Sequence, residues 1–366
     1  MKIGLGTTVL TKSSRSGQAD GIAVYTQELI NELEPLAIDI ACYDFIAEQG
    51  LTNLGKFPPQ VLLSAATGLP FFQAKLTGKI DLFHATDHHI PKLSKIPVIA
   101  TIMDPIPLAH PEWVNGNFRY LKNRLFKHSA KWAEHIITIS DFSAEQISEH
   151  FDVNRDKITS IPLGVRASDY KKIIASEREY LLERYKLPKN YFICIGTLQP
   201  RKNIERLIDA FLMLTIDMQN AYPLVIIGRA GWQCDELVKR MHALSIDKSI
   251  YWFHDVPIAD KNRLLQSSFA LVFPSLYEGF GLPILEAFIA ETPVITSNIT
   301  ALPEVAGNAA ILIDPYSIIG IAEAMKALID DDALRQELII KGKQRVKKFM
   351  WKKTAIDTLE VYKKFV

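Results

Sequence analysis

The stretch FALVFPSLYEGFGLPILEAF (Phe269–Phe288) carries the pattern that decides the fold. Its first eight residues, apolar except for Ser275, form a run rich in aromatic and branched side chains, as expected of a strand buried on both faces. A turn with two glycines follows, and Pro283 sits just inside the next helix, where its missing N–H costs nothing. The stretch is therefore a strand, a turn and a helix. Gly279 and Gly281 let the backbone approach a ligand closely and present N–H groups to it. Glu278 precedes the turn, and Glu286 is expected in the first helical turn, so both carboxylates can face one ligand. A buried carboxylate is costly unless something pairs with it. Carboxylates that accept hydrogen bonds from hydroxyls are what sugars and riboses require. The plain alternative is a dipole-complementing Glu286 and a loop charge at Glu278. Two glutamates around Gly-x-Gly-x-Pro favour a binding site.

The same unit recurs outward in both directions. Upstream runs are KIGLGTTV, IDIACYDF, DLFHATD, VIATIMD, HIITISD and ITSIPLGV; in the second half they are YFICIGTL, LVIIGRAG, SIYWFHDV, FALVFPSL, TPVITSN and AAILIDP. Helix-period segments such as IAVYTQELINEL, NIERLIDAFLML and CDELVKRMHAL lie between them. Apolar strands alternating with helices imply parallel sheets covered on both faces. Twelve strand candidates exceed one ordinary open sheet, so the expected fold is α/β with two doubly wound domains. The boundary is placed after IPLGVRASDY, giving domains 1–170 and 171–349 and a tail helix 350–366. Ligands in such folds sit beyond the carboxyl ends of the strands, which makes a cleft between facing domains the expected site.

Composition agrees and narrows the function. The chain has 366 residues, 48% of them apolar and 23% charged, with a formal charge of +1. That balance gives no footprint for nucleic acid, which needs a strongly basic face. Three scattered cysteines in apolar stretches (Cys42, Cys194, Cys234) read as reduced core residues of a cytosolic protein. MKIGLGTTVL reads as a first strand, not a secretion signal. No run of roughly 18 uncharged apolar residues is present to span a membrane. The expected location is the cytoplasm, with peripheral contact at the inner membrane face left open.

A second chemical motif is GTLQPRKNIERLIDAF (Gly196–Phe211). A strand ends at Gly196, a proline turn follows, and Asn203 is the expected N-cap of the next helix. Arg201 and Lys202 then stand at a strand end beside a helix N-terminus with its partial positive charge. Two adjacent cations and backbone N–H groups suit a diphosphate; a solvated basic turn is the alternative.

By these residues, the second half resembles the retaining nucleotide-sugar glycosyltransferases with two Rossmann-like domains, the GT-B fold, and within them glycosyltransferase family 4 with its Glu-x7-Glu motif. SLYEGFGLPILEA followed by TPVITSNITALPEVAGNAAILIDP is similar to that family's donor-binding region, and GTLQPRKNIERLIDAF resembles its bacterial mannosyltransferase branch. More thinly, GIAVYTQEL at Gly21 resembles the first-domain glycine loop, and the tail resembles a terminal helix that crosses back to the first domain. The resemblance implies that Arg201 and Lys202 neutralise the donor diphosphate and that the Gly279–Leu282 backbone, Phe280 and Gly281 included, meets phosphate and sugar. It further implies that Glu278 holds sugar hydroxyls and Glu286 the nucleoside ribose, with no metal or other cofactor required. The implied donor is a nucleoside diphosphate sugar, GDP-mannose preferred, and the implied acceptor is a glycan or a lipid-linked glycan, as in bacterial surface polysaccharide synthesis.

Three positions depart from the family pattern. Thr197 stands where relatives often carry Arg, so Arg201 has to supply that charge. Asp20-Gly21 replaces Gly-Gly. Met103-Asp104 replaces His-Asp, which leaves Asp104 as the polar group of that strand end and a catalytic candidate.

Two further stretches stay open. In FHATDHHIP, the residues His84, Asp87, His88 and His89 could suggest a metal cluster, but adjacent histidines at a strand end are expected to point apart. The preferred assignment puts His84, Asp87 and His88 on the acceptor side of the cleft. In FRYLKNRLFKHSAKW, the residues Phe118, Leu121, Leu125 and Trp132 share one helical face, and Arg124, Lys127 and Lys131 share the opposite one. Such a helix either lies on an anionic membrane or faces the core with a solvated basic back. Competing functions are a nicotinamide oxidoreductase, a nucleotide-sugar epimerase of the same architecture, and a catalytically silent binding subunit. GLGTTVL lacks the third glycine of a dinucleotide fingerprint, which removes the first.

Overall fold

A computed structural model of the chain describes residues 1–16, 21–45, 52–54, 57–114, 118–231, 233–245 and 250–366. Two parallel sheets organise it. The first contains β1 (Lys2–Gly6), β2 (Asp39–Asp44), β3 (Thr52–Asn53), β4 (Leu82–Ala85), β5 (Val98–Thr101), β6 (His135–Thr138) and β7 (Ile158–Ser160). The second contains β8 (Phe192–Ile195), β9 (Leu224–Ile227), β10 (Ile250–Phe253), β11 (Ala270–Phe273), β12 (Val294–Ser297) and β13 (Ile311–Ile313). Their spatial orders are β3-β2-β1-β4-β5-β6-β7 and β10-β9-β8-β11-β12-β13. Each sheet is doubly wound: the chain builds outward on one side of its first strand, then crosses to the other. The crossing leaves a crevice at the strand ends, between β1 and β4 in one sheet and between β8 and β11 in the other. The two-residue β3 escaped the apolar-run pattern because a pairing that short has no periodicity to detect.

The strands form because their apolar runs are buried on both faces. Every residue of β4, β5, β6, β8, β9, β11 and β12 is buried. The second core gathers Phe192, Leu207, Phe211, Leu224, Val272 and Met325. The first gathers Phe72, Phe83, Val98, Ile136, Ile147 and Phe151. At roughly 1.5–3 kcal/mol per fully buried large side chain, these cores dominate the favourable side of folding.

The chain divides into one unit of Met1–Gly164 with Trp351–Val366, and a second of Val165–Met350. Placing the boundary at 170/171 is therefore corrected: residues Ala167–Tyr170 pack against the helix Ile258–Ser267 of the second unit. Phe349 and Met350 pair with Val165 and stay in that unit too.

The tail helix Trp351–Tyr362 packs on the helix Gly21–Leu33 of the first unit. Trp351 meets the Tyr25 ring at 6.4 Å, and the Thr354 hydroxyl donates to the Pro162 carbonyl at 2.8 Å. The tail's deepest tie is to His84, whose Nδ1 lies 2.6 Å from the Tyr362 hydroxyl and whose Nε2 lies 2.8 Å from the Thr101 hydroxyl. Tyr25 completes this buried chain at 2.9 Å from Thr101. His84 was expected to line an acceptor site; instead it is 0% exposed, with both ring nitrogens occupied.

The helix expected over 118–132 spans Arg119–Ala130. Leu125, Phe126 and Trp132 lean on the core, but Phe118 (78% exposed) and Leu121 (46%) face outward with Tyr120, so the expected single apolar face is corrected. Lys127 and Lys131 both pair with Asp152, at 2.9 and 3.4 Å. Among the described residues, no helix is long and apolar enough to cross a membrane.

Burial depresses His84 to about 3 from its ordinary 6.5. The folded protein therefore refuses a proton that the unfolded chain accepts, and stability is lost as pH falls from about 6.5 toward 3. Replacing His84 with Phe should lower the melting temperature at pH 7 and flatten its acid dependence over that interval. Identical pH slopes for parent and variant would show that His84 is not held neutral.

Candidate active site

In the second unit, two turns meet at the crevice between β8 and β11. After β8 the backbone passes Gly196 and Thr197, then makes one tight turn, Pro200–Lys202. Asn203 follows with φ +59°, a left-handed conformation that asparagine tolerates well. It occupies the N-cap position of the helix Ile204–Leu212, but its side chain makes no cap bond, contrary to expectation. Its Nδ2 instead donates to the carbonyls of Pro274 (3.0 Å) and Pro315 (2.7 Å), tying the β8 turn to the ends of β11 and β13. A backbone bond from Leu276 N to the Arg201 carbonyl at 2.7 Å staples the two turns directly. Gly228, after β9, is required by close approach: a Cβ there would stand 1.8 Å from the Gly196 carbonyl oxygen.

The second turn brings Glu278 to the first. Lys202 Nζ donates to Glu278 Oε1 at 2.5 Å and Arg201 Nη1 to Oε2 at 2.8 Å. Arg201 is further fixed by the Tyr277 carbonyl and by Gln199 Oε1, both at 3.2 Å. The Lys202 ammonium lies over the Phe273 ring at 4.8 Å. All three charged side chains are largely sheltered, at 20% exposure for Arg201, 11% for Lys202 and 12% for Glu278. Burial pulls the Glu278 carboxyl upward, but the Lys202 ammonium and Arg201 guanidinium outweigh it, so the group stays below the usual carboxylate range. Two cations against one carboxylate leave net positive charge in a sheltered place. An anion suits it.

Behind Glu278 the chain enters the helix Leu282–Ile289 through Gly281, at φ +126°. A Cβ at Gly281 would meet Leu302 Cδ2 at 2.8 Å, so both conformation and space demand glycine. The N-termini of this helix and of Ile204–Leu212 add partial positive charge beside the two cations. Phe280 offers only its backbone, since its ring is buried against Phe349 at 6.0 Å. Glu286 lies in the second turn of its helix, not the first. Its Oε1 accepts from Lys261 Nζ at 3.1 Å, and Tyr170, whose hydroxyl donates to Asn262 Oδ1 at 3.3 Å, lies near enough to feel its charge.

The structure thus joins Arg201, Lys202 and Glu278 directly, with Gly279–Leu282 in the same turn, Thr197 exposed at the end of β8, and Glu286 one helical turn further on. Sequence reasoning missed Gln199, Phe273, Lys261 and Tyr170. Lys261 reaches Glu286, and Tyr170 comes near it, from distant positions that no local pattern connects.

The remaining candidates belong to the first unit. Gly21 opens the helix Gly21–Leu33, while Asp20 lies outside the described residues. Asp104 accepts from the Ile106 amide at 3.0 Å, holding the turn after β5. Asp87 binds both the amide (2.8 Å) and Nδ1 (2.7 Å) of His89, whose Nε2 lies 3.1 Å from Lys12 Nζ. The His88 and His89 rings do not point apart as expected; their centroids are 4.1 Å apart, and potential ligand atoms of Asp87, His88 and His89 lie within 4.8 Å of one another.

Residues 182–345, which contain the Arg201–Lys202–Glu278 cluster and Glu286, match the family model of glycosyl transferases group 1; residues 19–169 match that of Glycosyltransferase Family 4. The chain is 33% identical over 285 residues to O-antigen chain mannosyltransferase B of Escherichia coli, covering 77% of this chain and 74% of that protein. The chain belongs to this glycosyltransferase family. It is a glycosyltransferase related to O-antigen mannosyltransferases. Another relative is the O-antigen chain mannosyltransferase RfbU of Salmonella typhimurium, 30% identical over 65% of this chain and 62% of that protein. A third is the serotype-specific mannosyltransferase WbdA of Escherichia coli, 32% identical over 70% of this chain but only 32% of that longer protein. Solved structures of similar fold include Anabaena HepE in complex with UDP and glucose (TM-score 0.74, 16% identity, 99% of both chains). Sucrose-phosphate synthase from Thermosynechococcus elongatus is another (TM-score 0.73, 16% identity, 100% of this chain and 98% of that one). These neighbours identify the glycosyltransferase fold as GT-B.

Proposed function

We propose that this glycosyltransferase moves a mannosyl group from GDP-mannose to a hydroxyl of a glycan or lipid-linked glycan, retaining the anomeric configuration and needing no metal ion. The observation that carries the proposal is the sheltered Arg201–Lys202 pair at the β8 end, with Glu278 alone among the described residues to balance it. The O-antigen relatives, both mannosyltransferases, support mannose as the sugar.

Charge is the chemical problem. A nucleoside diphosphate departs while the sugar gains oxocarbenium character. In the proposed site, Arg201, Lys202 and the two helix N-termini stabilise the departing diphosphate, the role a divalent cation fills in other enzymes. The backbone of Gly279–Leu282 borders the phosphate and sugar. Glu278 accepts hydrogen bonds from sugar hydroxyls, and Glu286, positioned by Lys261, accepts from the ribose diol. The C1–O bond to diphosphate breaks as the acceptor oxygen attacks the same face, and the acceptor proton passes to a donor phosphate oxygen.

The exposed Phe118, Tyr120 and Leu121 beside Arg124, Lys127 and Lys131 support peripheral contact with an anionic membrane, where a lipid-linked acceptor would lie.

Two outcomes check these assignments. Mannosyl transfer from GDP-mannose should persist in EDTA; loss that Mn²⁺ or Mg²⁺ restores would contradict the electrostatic role of Arg201 and Lys202. Charge reversal at Arg124, Lys127 and Lys131 should reduce sedimentation with anionic vesicles, and equal sedimentation of variant and parent would remove the membrane contact.

A further inference from the structure

We propose that Glu278 is a built-in counter-ion of the Arg201–Lys202 site, displaced by the donor's diphosphate and restored as the nucleoside diphosphate leaves. The inference rests on the donor assignment above and concerns how that site fills and empties.

Each carboxylate oxygen of Glu278 holds one cation: Oε1 takes Lys202 and Oε2 takes Arg201. Among the described residues, Glu278 is the one anionic partner of either side chain. Their other contacts are neutral: Gln199 and the Tyr277 carbonyl for Arg201, and the face of Phe273 for Lys202. These contacts fix the cations without neutralising them, so both stay in place when the carboxylate moves off. Glu278 therefore occupies the donors that a phosphate needs.

A carboxylate and a diphosphate cannot share the same sheltered N–H groups at close range without repulsion. The diphosphate carries more charge and more acceptor oxygens, and it prevails. The released carboxylate remains beside the Gly279 turn, next to the diphosphate and hence next to the attached sugar. It then needs new donors, and sugar hydroxyls are donors. One displacement thus loads the phosphate site and frees the group that holds the sugar. After transfer the sugar hydroxyls are gone. A sheltered carboxylate without partners is costly, so Glu278 competes with the bound product for the cations and regains them as the nucleoside diphosphate leaves.

The consequence runs against intuition: neutralising Glu278 should tighten product binding while it slows the reaction. Calorimetry with GDP, UDP and ADP should show Glu278→Gln binding its preferred nucleoside diphosphate about tenfold or more tightly than the parent does, through relief of like-charge repulsion. Its turnover should fall, and the gain in affinity should shrink when Lys202→Ala is added. Equal or weaker binding by Glu278→Gln would overturn the proposal. A second measurement needs no variant. Crystals of the parent soaked with the same nucleoside diphosphate should show the Glu278 carboxylate turned away from both cations; both ion pairs intact beside a bound diphosphate would overturn it. A parent that binds none of the three nucleotides would overturn the donor assignment itself, a result distinct from either of these.

Discussion

The ion-pair cluster of Arg201, Glu278 and Lys202 is the constraint around which the second unit's crevice is organised. The two cations come from the turn after β8, and the carboxylate comes from the turn after β11, so the cluster exists only when these strands lie side by side with their ends level. Removing one partner of a buried pair costs about 3–5 kcal/mol, because the remaining charge loses its compensation. The geometry is correspondingly over-determined. Asn203 bonds to carbonyls at the ends of β11 and β13, Leu276 bonds to the Arg201 carbonyl, and Gly228 permits the contact with Gly196 that aligns β9 beside β8.

The surplus of one positive charge distinguishes this cluster from an ordinary structural ion pair. A protein that needed only to satisfy Glu278 could do so with one cation. Two cations, two helix N-termini and a glycine turn with positive φ make a place where negative charge is stabilised before any ligand arrives. In the proposed reaction, such preorganisation lets a diphosphate leave at little reorganisation cost. Glu286 stands apart from this cluster, with its own partner in Lys261. The two carboxylates of the opening stretch thus have different surroundings, consistent with different tasks.

Much of this was legible in the sequence, for identifiable reasons. The apolar runs of β4–β6, β8, β9, β11 and β12 are buried on both faces, so each shows in composition alone. Arg201, Lys202 and Glu278 stand at strand ends beside prolines and glycines, which mark turns by their conformational restrictions. Other features were not legible. Asn203 fits the N-cap position by residue type, but its side chain serves distant carbonyls that only the folded sheet brings near. His84 looked like a polar residue at a strand end, and only the returning tail helix, with Tyr362, shows that it is buried. The His88 and His89 rings lie close and tilted to one another, with Asp87 and Lys12 holding His89, an arrangement that strand alternation does not encode.

The central claim is that Arg201 and Lys202 hold the donor's diphosphate while Glu286 holds its ribose. Titration calorimetry of GDP against the parent, Lys202→Ala and Glu286→Ala tests it most directly. A hydrogen bond to a charged group is worth about 1.5–3 kcal/mol, so each substitution should weaken GDP binding by roughly tenfold to a hundredfold. A Lys202→Ala protein that is folded and binds GDP as tightly as the parent would contradict the account.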